Sequence, residues 1–161
     1  QSITNKKNNI LIVEQKNKEL GFVGTPKEID QSIIEQIVKE KKVPVIAPLG
    51  LDKNKQVFNI NADTAAGAIA KKLNARRLII MSDVEGVLDN NKKLIPEINT
   101  IEIHELIKSE TISGGMIPKI KNCSDVVSNG VKGVCIIDGR LNHSILFELL
   151  SNAGSGTLIR E

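Results

Sequence analysis

The chain has 161 residues, of which 40 % are apolar and only 2 % aromatic, with no Trp or Tyr. Its core must therefore be Ile, Val, Leu and Ala, a composition typical of parallel sheets covered by helices. The net charge is only +3, and without a basic stripe or stacking aromatics we expect no nucleic-acid partner. No apolar run approaches the ~20 residues that span a bilayer, so we expect no membrane partner. Two cysteines in no metal pattern favour buried thiols in a reducing, cytoplasmic setting.

Two apolar runs at residues 10–13 and 21–24 flank a polar turn and predict a hairpin. The polar stretch before them, residues 1–9, is expected to be a loop or a frayed end. Thr25, Pro26 and Glu28 then form the pattern of a helix start, with Thr25 as the cap and Glu28 completing a capping box. The sequence therefore predicts a helix from Thr25.

The next apolar run, residues 43–50, contains two prolines and is expected to be a strand end or an edge strand. The strand predicted at 56–60 leads directly into a helix, with Asn59, Asn61 and Asp63 at the junction. Asn59 and Asn61 would project from one face of an extended chain, and Asn61 or Asp63 can cap the helix. A well-capped helix after a strand is the alternative interpretation of these polar residues.

Residues 77–81 predict a buried strand that ends in the polar turn 82–86. Ligands of open α/β sheets bind at the carboxyl ends of strands, so this turn is a candidate binding site, and a plain strand exit is the alternative. Thr100 is expected to cap the helix that follows.

Ser113, Gly114 and Gly115 precede a helix that is predicted to run to about Asn129 and to stop at Gly130. Glycines before a helix allow close backbone approach and offer N–H donors, which suits phosphate. Lys119 lies about one turn into this helix, and its side chain would lean back over the helix start. The alternative is a glycine-rich linker followed by a solvated lysine.

The remaining elements are a strand at 131–137, a helix at 143–150 and a strand at 157–159. Alternating strands and helices predict an α/β protein, a three-layer α/β/α sandwich with a mainly parallel sheet. A hinge is expected near Asn74, which would divide the chain into residues 1–74 and 75–161.

Four strings occur in one order and together resemble the acetylglutamate kinases of the amino acid kinase family. The first runs from Asn59 to Ala70, and the others are Met81-Ser82-Asp83-Val84-Glu85-Gly86-Val87-Leu88, Ile112-Ser113-Gly114-Gly115-Met116-Ile117-Pro118-Lys119 and Ile136-Ile137-Asp138-Gly139-Arg140. The resemblance, which covers roughly residues 18–160, implies the carbamate kinase-like fold. It also implies ATP-dependent phosphorylation of the side-chain carboxylate of N-acetyl-L-glutamate, in arginine biosynthesis.

The resemblance implies a role for each matching residue. Lys119 would steady the transferring phosphoryl group and Asp63 would orient the active-site lysines, while Asn59 and Asn61 would bind the acylated amino acid. Mg²⁺ is expected to arrive on the ATP phosphates, with no protein metal site. Residues 1–74 would belong to the amino-acid-substrate lobe and 75–161 would form the nucleotide-binding lobe. The expected nucleotide-binding residues are Ser82, Asp83, Val84, Glu85, Gly86, Val87, Leu88, Thr111, Ile112, Ser113, Gly114 and Gly115.

The end of the chain resembles the arginine-inhibited variant of this family. The candidate effector residues are His143, Glu148, Gly154 and Gly156. The intact enzymes are expected to be homo-oligomers.

The family's N-terminal part, with a second lysine and a Gly-Gly loop, has no counterpart here, so we expect the 161 residues alone to be inactive. The alternatives are a noncatalytic nucleotide- or arginine-binding regulator built from half of the fold, and another member of the family with a different acceptor.

Overall fold

The computed structural model describes residues 2–3, 10–151 and 154–161. The chain divides into two compact units, Gln1–Leu73 and Asn74–Glu161. None of the helices in these described ranges combines the length and the apolar character that a membrane crossing requires.

The first unit is built on a four-stranded mixed sheet. In the order β3-β2-β5-β6, β2 and β5 are parallel while β2–β3 and β5–β6 are antiparallel. Buried Ile10, Leu11, Ile34, Phe58 and Ile60 form much of its core. The elements are β1 (Ser2–Ile3), β2 (Leu11–Gln15), β3 (Gly24–Ile29), α1 (Gln31–Lys39), β4 (Val45–Ile46), β5 (Leu49–Leu51), β6 (Val57–Asn59) and α2 (Ala62–Lys72).

The predicted hairpin is confirmed, and so is the helix after it, but the predicted helix start at Thr25 is wrong. Thr25 and Pro26 lie within β3, and Pro26 pairs with Val13 where the register shifts. β3 is an edge strand among the described strands of this sheet, where the missing N–H of proline is tolerated. The helix α1 begins later, capped by Asp30, whose side chain accepts a 3.0 Å bond from the Ser32 N–H.

The proline-containing run 43–50 divides into β4 and β5. β4 pairs in parallel with β1, which forms a strand where the sequence predicted a loop or a frayed end; residues 1 and 4–9 of that stretch lie outside the described ranges. Gly50 in β5 is tightly packed, because a Cβ there would collide with the Val13 side chain.

The second unit contains a four-stranded sheet in the order β7-β9-β10-β8. β7–β9 and β10–β8 are parallel, and β9–β10 is antiparallel. All five residues of β9 are buried, and both α4 and α5 pack against this strand. Its elements are β7 (Leu78–Ser82), β8 (Glu97–Asn99), α3 (Ile103–Lys108), α4 (Met116–Ser128), β9 (Val134–Asp138), α5 (Ser144–Leu150) and β10 (Gly156–Arg160).

The α/β class is confirmed, and both four-stranded sheets are mixed. The predicted end of α4 is also confirmed, since Asn129 follows its last residue and Gly130 has a φ of 102°. Thr100 does not cap α3, which begins three residues later, and its N–H donates to the Arg160 carbonyl at 2.9 Å. The residue that precedes α3 is Glu102, which makes no side-chain cap.

Candidate functional site

In the first unit, Asn59 lies at the end of β6 with an exposed side chain. It pairs with Leu49 on one side, and its N–H donates to the Phe22 carbonyl at 2.8 Å on the other. The end of the β2–β3 hairpin is thereby attached to Asn59. The structure gives this residue a fixed backbone and an open side chain.

Asn61 is the cap of α2. Its Oδ1 accepts bonds from the Thr64 N–H at 3.1 Å and from the Thr64 hydroxyl at 3.2 Å. Of the two predicted caps, the structure therefore uses Asn61. Asp63 lies in the first turn of α2 and is half-buried, and the helix packs against β3 with Ala65, Gly67 and Ala70 buried.

In the second unit, the parallel strands β7 and β9 end side by side. Ser82 pairs with Asp138, and the Gly139 N–H donates to the Ser82 carbonyl at 2.8 Å. The side chains of Asp83 and Glu85 follow in the turn and are exposed. This polar edge lies at the carboxyl ends of parallel strands, where α/β proteins bind ligands.

Asp138 and Arg140 form a fork at the same edge. The Arg140 Nε and Nη2 donate to the two carboxylate oxygens of Asp138 at 2.9 and 2.8 Å, although Asp138 is only 3 % exposed. Hydrogen bonds from the Arg140 side chain and N–H lower the pKa of Asp138 to about 2. The pKa of Arg140 is raised mainly by Asp138, with contributions from Asp83 and Glu85. Both residues were in a recognised motif, yet sequence reasoning gave them no site role.

The predicted nucleotide-binding segment 82–88 has an open part and a buried part. Gly86 and Val87 are buried, and the Val87 N–H donates to the Thr157 Oγ1 at 2.8 Å. The Thr157 hydroxyl in turn donates to the Ile95 carbonyl at 2.7 Å. Sequence reasoning gave Thr157 no role at this loop, because no local pattern links it to a segment 70 positions earlier.

The glycines before α4 are open. Ser113, Gly114 and Gly115 are exposed, Gly114 has a φ of 53°, and a Cβ on either glycine would meet no atom within 4 Å. The first bonds of the helix are long, from the Met116 N–H to the Ser113 carbonyl at 3.2 Å and from the Ile117 N–H to the Gly114 carbonyl at 3.3 Å. Such a helix start suits an anion.

The other predicted residues here differ in exposure. Lys119 is half-buried in the first part of α4. Ile112 is 1 % exposed, and its N–H bonds to the Leu106 carbonyl, so its side chain faces the interior. Thr111 is half-buried, with its hydroxyl 3.1 Å from the Ser109 hydroxyl.

Of the candidate effector residues, Glu148 is bonded within the second unit. Its carboxylate accepts bonds from Arg77 Nη1 at 3.1 Å, the Cys135 thiol at 2.9 Å and the Ser155 N–H at 3.0 Å. Burial, followed by the Glu148 carboxylate, raises the pKa of Cys135 to about 12. Glu148 thus joins α5 to β9, to the start of β7 and to the turn before β10.

His143 immediately precedes α5. It is exposed, has a φ of 64°, and lines an apolar cavity of about 360 Å³ with Leu146, Phe147, Leu150 and Ser151. Gly154 and Gly156 lie on either side of Ser155, whose N–H is bound by Glu148. A Cβ on Gly156 would collide with the Ile136 carbonyl of β9.

The candidate residues fall in both units, with Asp63 in the first and Lys119 in the second. That Asp63 and Lys119 act together stays a prediction. Among the residues that the structure describes, no three His, Cys, Asp or Glu side chains are placed to hold a metal ion.

The two α/β units, one with a polar strand-to-helix junction and one with an open, glycine-led helix start, define an α/β protein with a candidate anion-binding site. The sequence profile of the amino acid kinase family matches residues 3–138, and the chain belongs to this family.

Acetylglutamate kinase from Pelagibacter ubique is 70 % identical over 159 residues, which are 99 % of this chain and 55 % of that protein. The chain spans about half the length of the curated relatives it matches. The crystal structure of smu.665 from Streptococcus mutans has a TM-score of 0.83 at 32 % identity, over 99 % of this chain and 60 % of that one. N-acetylglutamate synthase from Neisseria gonorrhoeae, complexed with coenzyme A and N-acetyl-glutamate, has a TM-score of 0.88 at 21 % identity, over 99 % and 37 %, which shows the fold alone.

Proposed function

We propose that this chain is the C-terminal portion of an ATP-dependent acetylglutamate kinase, which phosphorylates the side-chain carboxylate of N-acetyl-L-glutamate in arginine biosynthesis. The observation that carries the proposal is the 70 % identity to the Pelagibacter ubique enzyme across 99 % of this chain. The product is an acyl phosphate, and the enzyme belongs to the soluble biosynthetic machinery of the cytoplasm.

This reaction brings two anions together, a carboxylate and the γ-phosphate of ATP. Phosphoryl transfer asks little covalent chemistry of the protein and depends on positioning and on charge stabilisation. In our proposal the half-buried Lys119 holds the transferring phosphoryl group. The backbone at Gly114 and Gly115 approaches the phosphates, because it is open enough that a Cβ on either residue would meet no atom within 4 Å.

The strand-to-helix junction serves the acceptor substrate in this proposal. Asn59, exposed at the end of β6, binds the acylated amino acid. Asn61 is committed through its Oδ1 to the start of α2, so it contributes through its amide NH₂ and by fixing the turn. Asp63 orients the active-site lysines, because a carboxylate between ammonium groups offsets their mutual repulsion.

The segment 82–88 serves the nucleotide in this proposal. The exposed side chains of Asp83 and Glu85 contact the nucleotide, while buried Gly86 and Val87 set the path of the loop. Mg²⁺ arrives with ATP as part of the substrate and needs few protein ligands. The Asp138 carboxylate is committed to Arg140 and is not assigned to the metal.

Feedback inhibition by arginine and homo-oligomerisation of the complete enzyme also stay proposals. The Glu148 carboxylate is already paired with Arg77, so a bound arginine would contact exposed His143 and the backbone near Gly154 and Gly156. Glu148 would then support the effector site through its bond to the Ser155 N–H, without contacting the bound arginine.

A coupled ADP-release assay with N-acetyl-L-glutamate tests the proposal on the longest natural reading frame that contains this sequence. We expect turnover, with kcat lowered at least about a hundredfold by Lys119→Ala, the scale of losing one charge-stabilising group. Lys121→Ala, two positions further along α4 and exposed, is the matched control and should keep kcat.

Other acceptors separate the alternatives. Turnover of aspartate, glutamate or carbamate in place of N-acetyl-L-glutamate would indicate another member of the family. Calorimetric binding of ATP or arginine without turnover of any acceptor would indicate a noncatalytic regulator.

A further inference from the structure

We infer that Thr157 is the positioning residue of the nucleotide-binding loop, a role that rests on the proposed function of segment 82–88. Thr157 is fully buried in β10, a strand that lies between β9 and β8 in the sheet. It touches the loop from inside the protein and is not a catalytic residue.

The Thr157 hydroxyl is both a hydrogen-bond acceptor and a donor, and it binds two residues that lie eight positions apart in the chain. The Oγ1 accepts from the Val87 N–H at 2.8 Å and donates to the Ile95 carbonyl at 2.7 Å. Val87 and Ile95 are also bonded to each other, because the Ile95 N–H donates to the Val87 carbonyl at 2.8 Å. The hydroxyl therefore closes the base of the turn from Val87 to Ile95 and holds the end of segment 82–88 in place at Val87.

Gly86 brings the loop close enough for these bonds. Its φ of 149° is rarely adopted by residues with a side chain, and a Cβ there would lie 2.6 Å from the Thr157 Oγ1. Because Gly86 has no side chain, the Thr157 hydroxyl can occupy the space beside it. The exposed Asp83 and Glu85 come immediately before this fixed point, so the anchor sets where their side chains are presented.

Removing the hydroxyl would leave the buried Val87 N–H and the partly buried Ile95 carbonyl without this partner, and a buried backbone group without a partner is costly. The loop would then move to find water or other partners, and the nucleotide would meet a displaced surface. The acceptor substrate, proposed to bind at Asn59 in the other unit, should be affected less.

Three variants test this role. Thr157→Val keeps the shape and removes the hydroxyl, whereas Thr157→Ser keeps the hydroxyl and loses a methyl group. Ile159→Val alters a fully buried residue of the same strand that is not bonded to the loop, and it controls for loss of stability.

Two measurements are made on each variant: hydrogen exchange of the Val87 amide in this chain, and the KM values of the full-length enzyme. For Thr157→Val we expect faster Val87 exchange and a nucleotide KM about tenfold higher, the factor for about one lost hydrogen bond. The KM for N-acetyl-L-glutamate should stay unchanged. Thr157→Ser and Ile159→Val should keep both properties near the wild type.

If the wild type is active and Thr157→Val leaves the nucleotide KM unchanged, the inference about Thr157 is wrong and the proposed function is unaffected. Equal rises of nucleotide KM in Thr157→Val and Ile159→Val would also overturn it, because general destabilisation would then explain the effect. A wild-type enzyme that does not use ATP would overturn the proposed function, and the nucleotide role of Thr157 with it.

Discussion

At the scale of single residues, the carboxylate of Glu148 is stabilised by three donors from different elements. Arg77 precedes β7, Cys135 lies within β9 and Ser155 precedes β10, and Glu148 is only 8 % exposed. A buried charge is tolerated only when it is paired and hydrogen-bonded. Glu148 therefore ties four segments of the second unit together, whatever else α5 binds.

Glu148→Ala should lower the free energy of unfolding by about 2–3 kcal/mol, since it leaves the buried Cys135 thiol and two partly buried donors, from Arg77 and Ser155, without their acceptor. Urea unfolding followed by circular dichroism measures this difference. The control is Glu14→Ala, which removes an exposed pair with Lys27 at 3.0 Å and should cost less than about 1 kcal/mol. Equal losses in the two variants would contradict the central role of Glu148.

The lowered pKa of Asp138 makes part of the free energy of unfolding depend on pH in the acid range. Because Arg140 lowers the pKa of Asp138 from 3.8 to about 2, the folded state binds this proton less tightly than the unfolded state. The contribution is therefore present above about pH 4 and is lost as the pH falls towards 2. Urea unfolding at a series of pH values should show a steeper acid loss in the wild type than in Asp138→Asn.

Arg140→Gln gives a second check, because it keeps the carboxyl group and removes the cation. Its acid loss should fall between those of the wild type and Asp138→Asn, because the backbone N–H of residue 140 still donates to the Asp138 carboxylate at 2.9 Å. Parallel curves for the wild type and both variants would show that the fork does not govern the titration of Asp138.

At the scale of elements, β9 and β10 pair closely because Gly156 has no side chain. Gly156 pairs with Ile137, and a Cβ there would collide with the Ile136 carbonyl, which is backbone and cannot turn aside. Gly156, the first residue of β10, is thus a packing requirement of the sheet. An effector that contacts Gly156 would have to bind where the backbone of β9 already lies close to this residue.

Gly156→Ala should therefore lower the free energy of unfolding by about 2 kcal/mol or more, as overpacking in a core does. Gly115→Ala is the matched control for stability, since its φ of −65° suits alanine and a Cβ would meet nothing within 4 Å. Thermal and urea unfolding of the two variants measure the difference. A Gly156→Ala protein as stable as Gly115→Ala would contradict the close strand approach.

The helix starts show what a sequence predicts and what it cannot. Asn61 caps α2 through a bond to Thr64, three positions away, so the signal and the contact lie in the same short window. Thr25 and Thr100 carry similar local signals, but their segments continue strands whose partners are distant. Pro26 pairs with Val13, and the Thr100 N–H bonds to Arg160. Tertiary pairing overrides local capping in both cases.

The residues of the candidate site also divide into those with a local sequence signal and those that depend on distant contacts. Residues within the motifs, such as Lys119 and Asp83, could be proposed from the sequence because their neighbours identify them. Thr157 and Arg77 could not, because each acts through a contact about 70 positions away. A buried hydroxyl or an ion pair across a sheet leaves no local pattern, so supporting residues emerge only from the fold.

At the scale of the whole molecule, the proposed chemistry needs residues from both units. Asp63 belongs to the first unit and Lys119 to the second, and the chain covers 55 % of its Pelagibacter ubique relative. Neither unit holds all the proposed charge-stabilising groups. Because the chain spans only 55 % of the length of that relative, we expect turnover from the complete enzyme and not from these 161 residues alone, and the ADP-release assay on both forms would compare them.

The 161-residue chain should also associate with itself, because α5 exposes a large apolar surface. Leu146, Phe147 and Leu149 are 49, 58 and 55 % exposed, and Leu150 is 82 % exposed. Contiguous apolar surface of this kind usually mediates contacts between molecules. Light scattering coupled to size exclusion should give a mass above the 17.5 kDa of one chain.

Placing charges on this surface should shift the chain towards the monomer, since each buried lysine in a contact would have to give up its hydration. The double variant Leu146→Lys with Leu150→Lys should therefore elute closer to 17.5 kDa than the wild type. Val43→Lys adds a charge at a 76 % exposed valine in the first unit and should leave the mass unchanged. A wild-type chain that is monomeric at tens of micromolar, or an effect of Val43→Lys as large as that of the α5 variant, would show that α5 does not drive association.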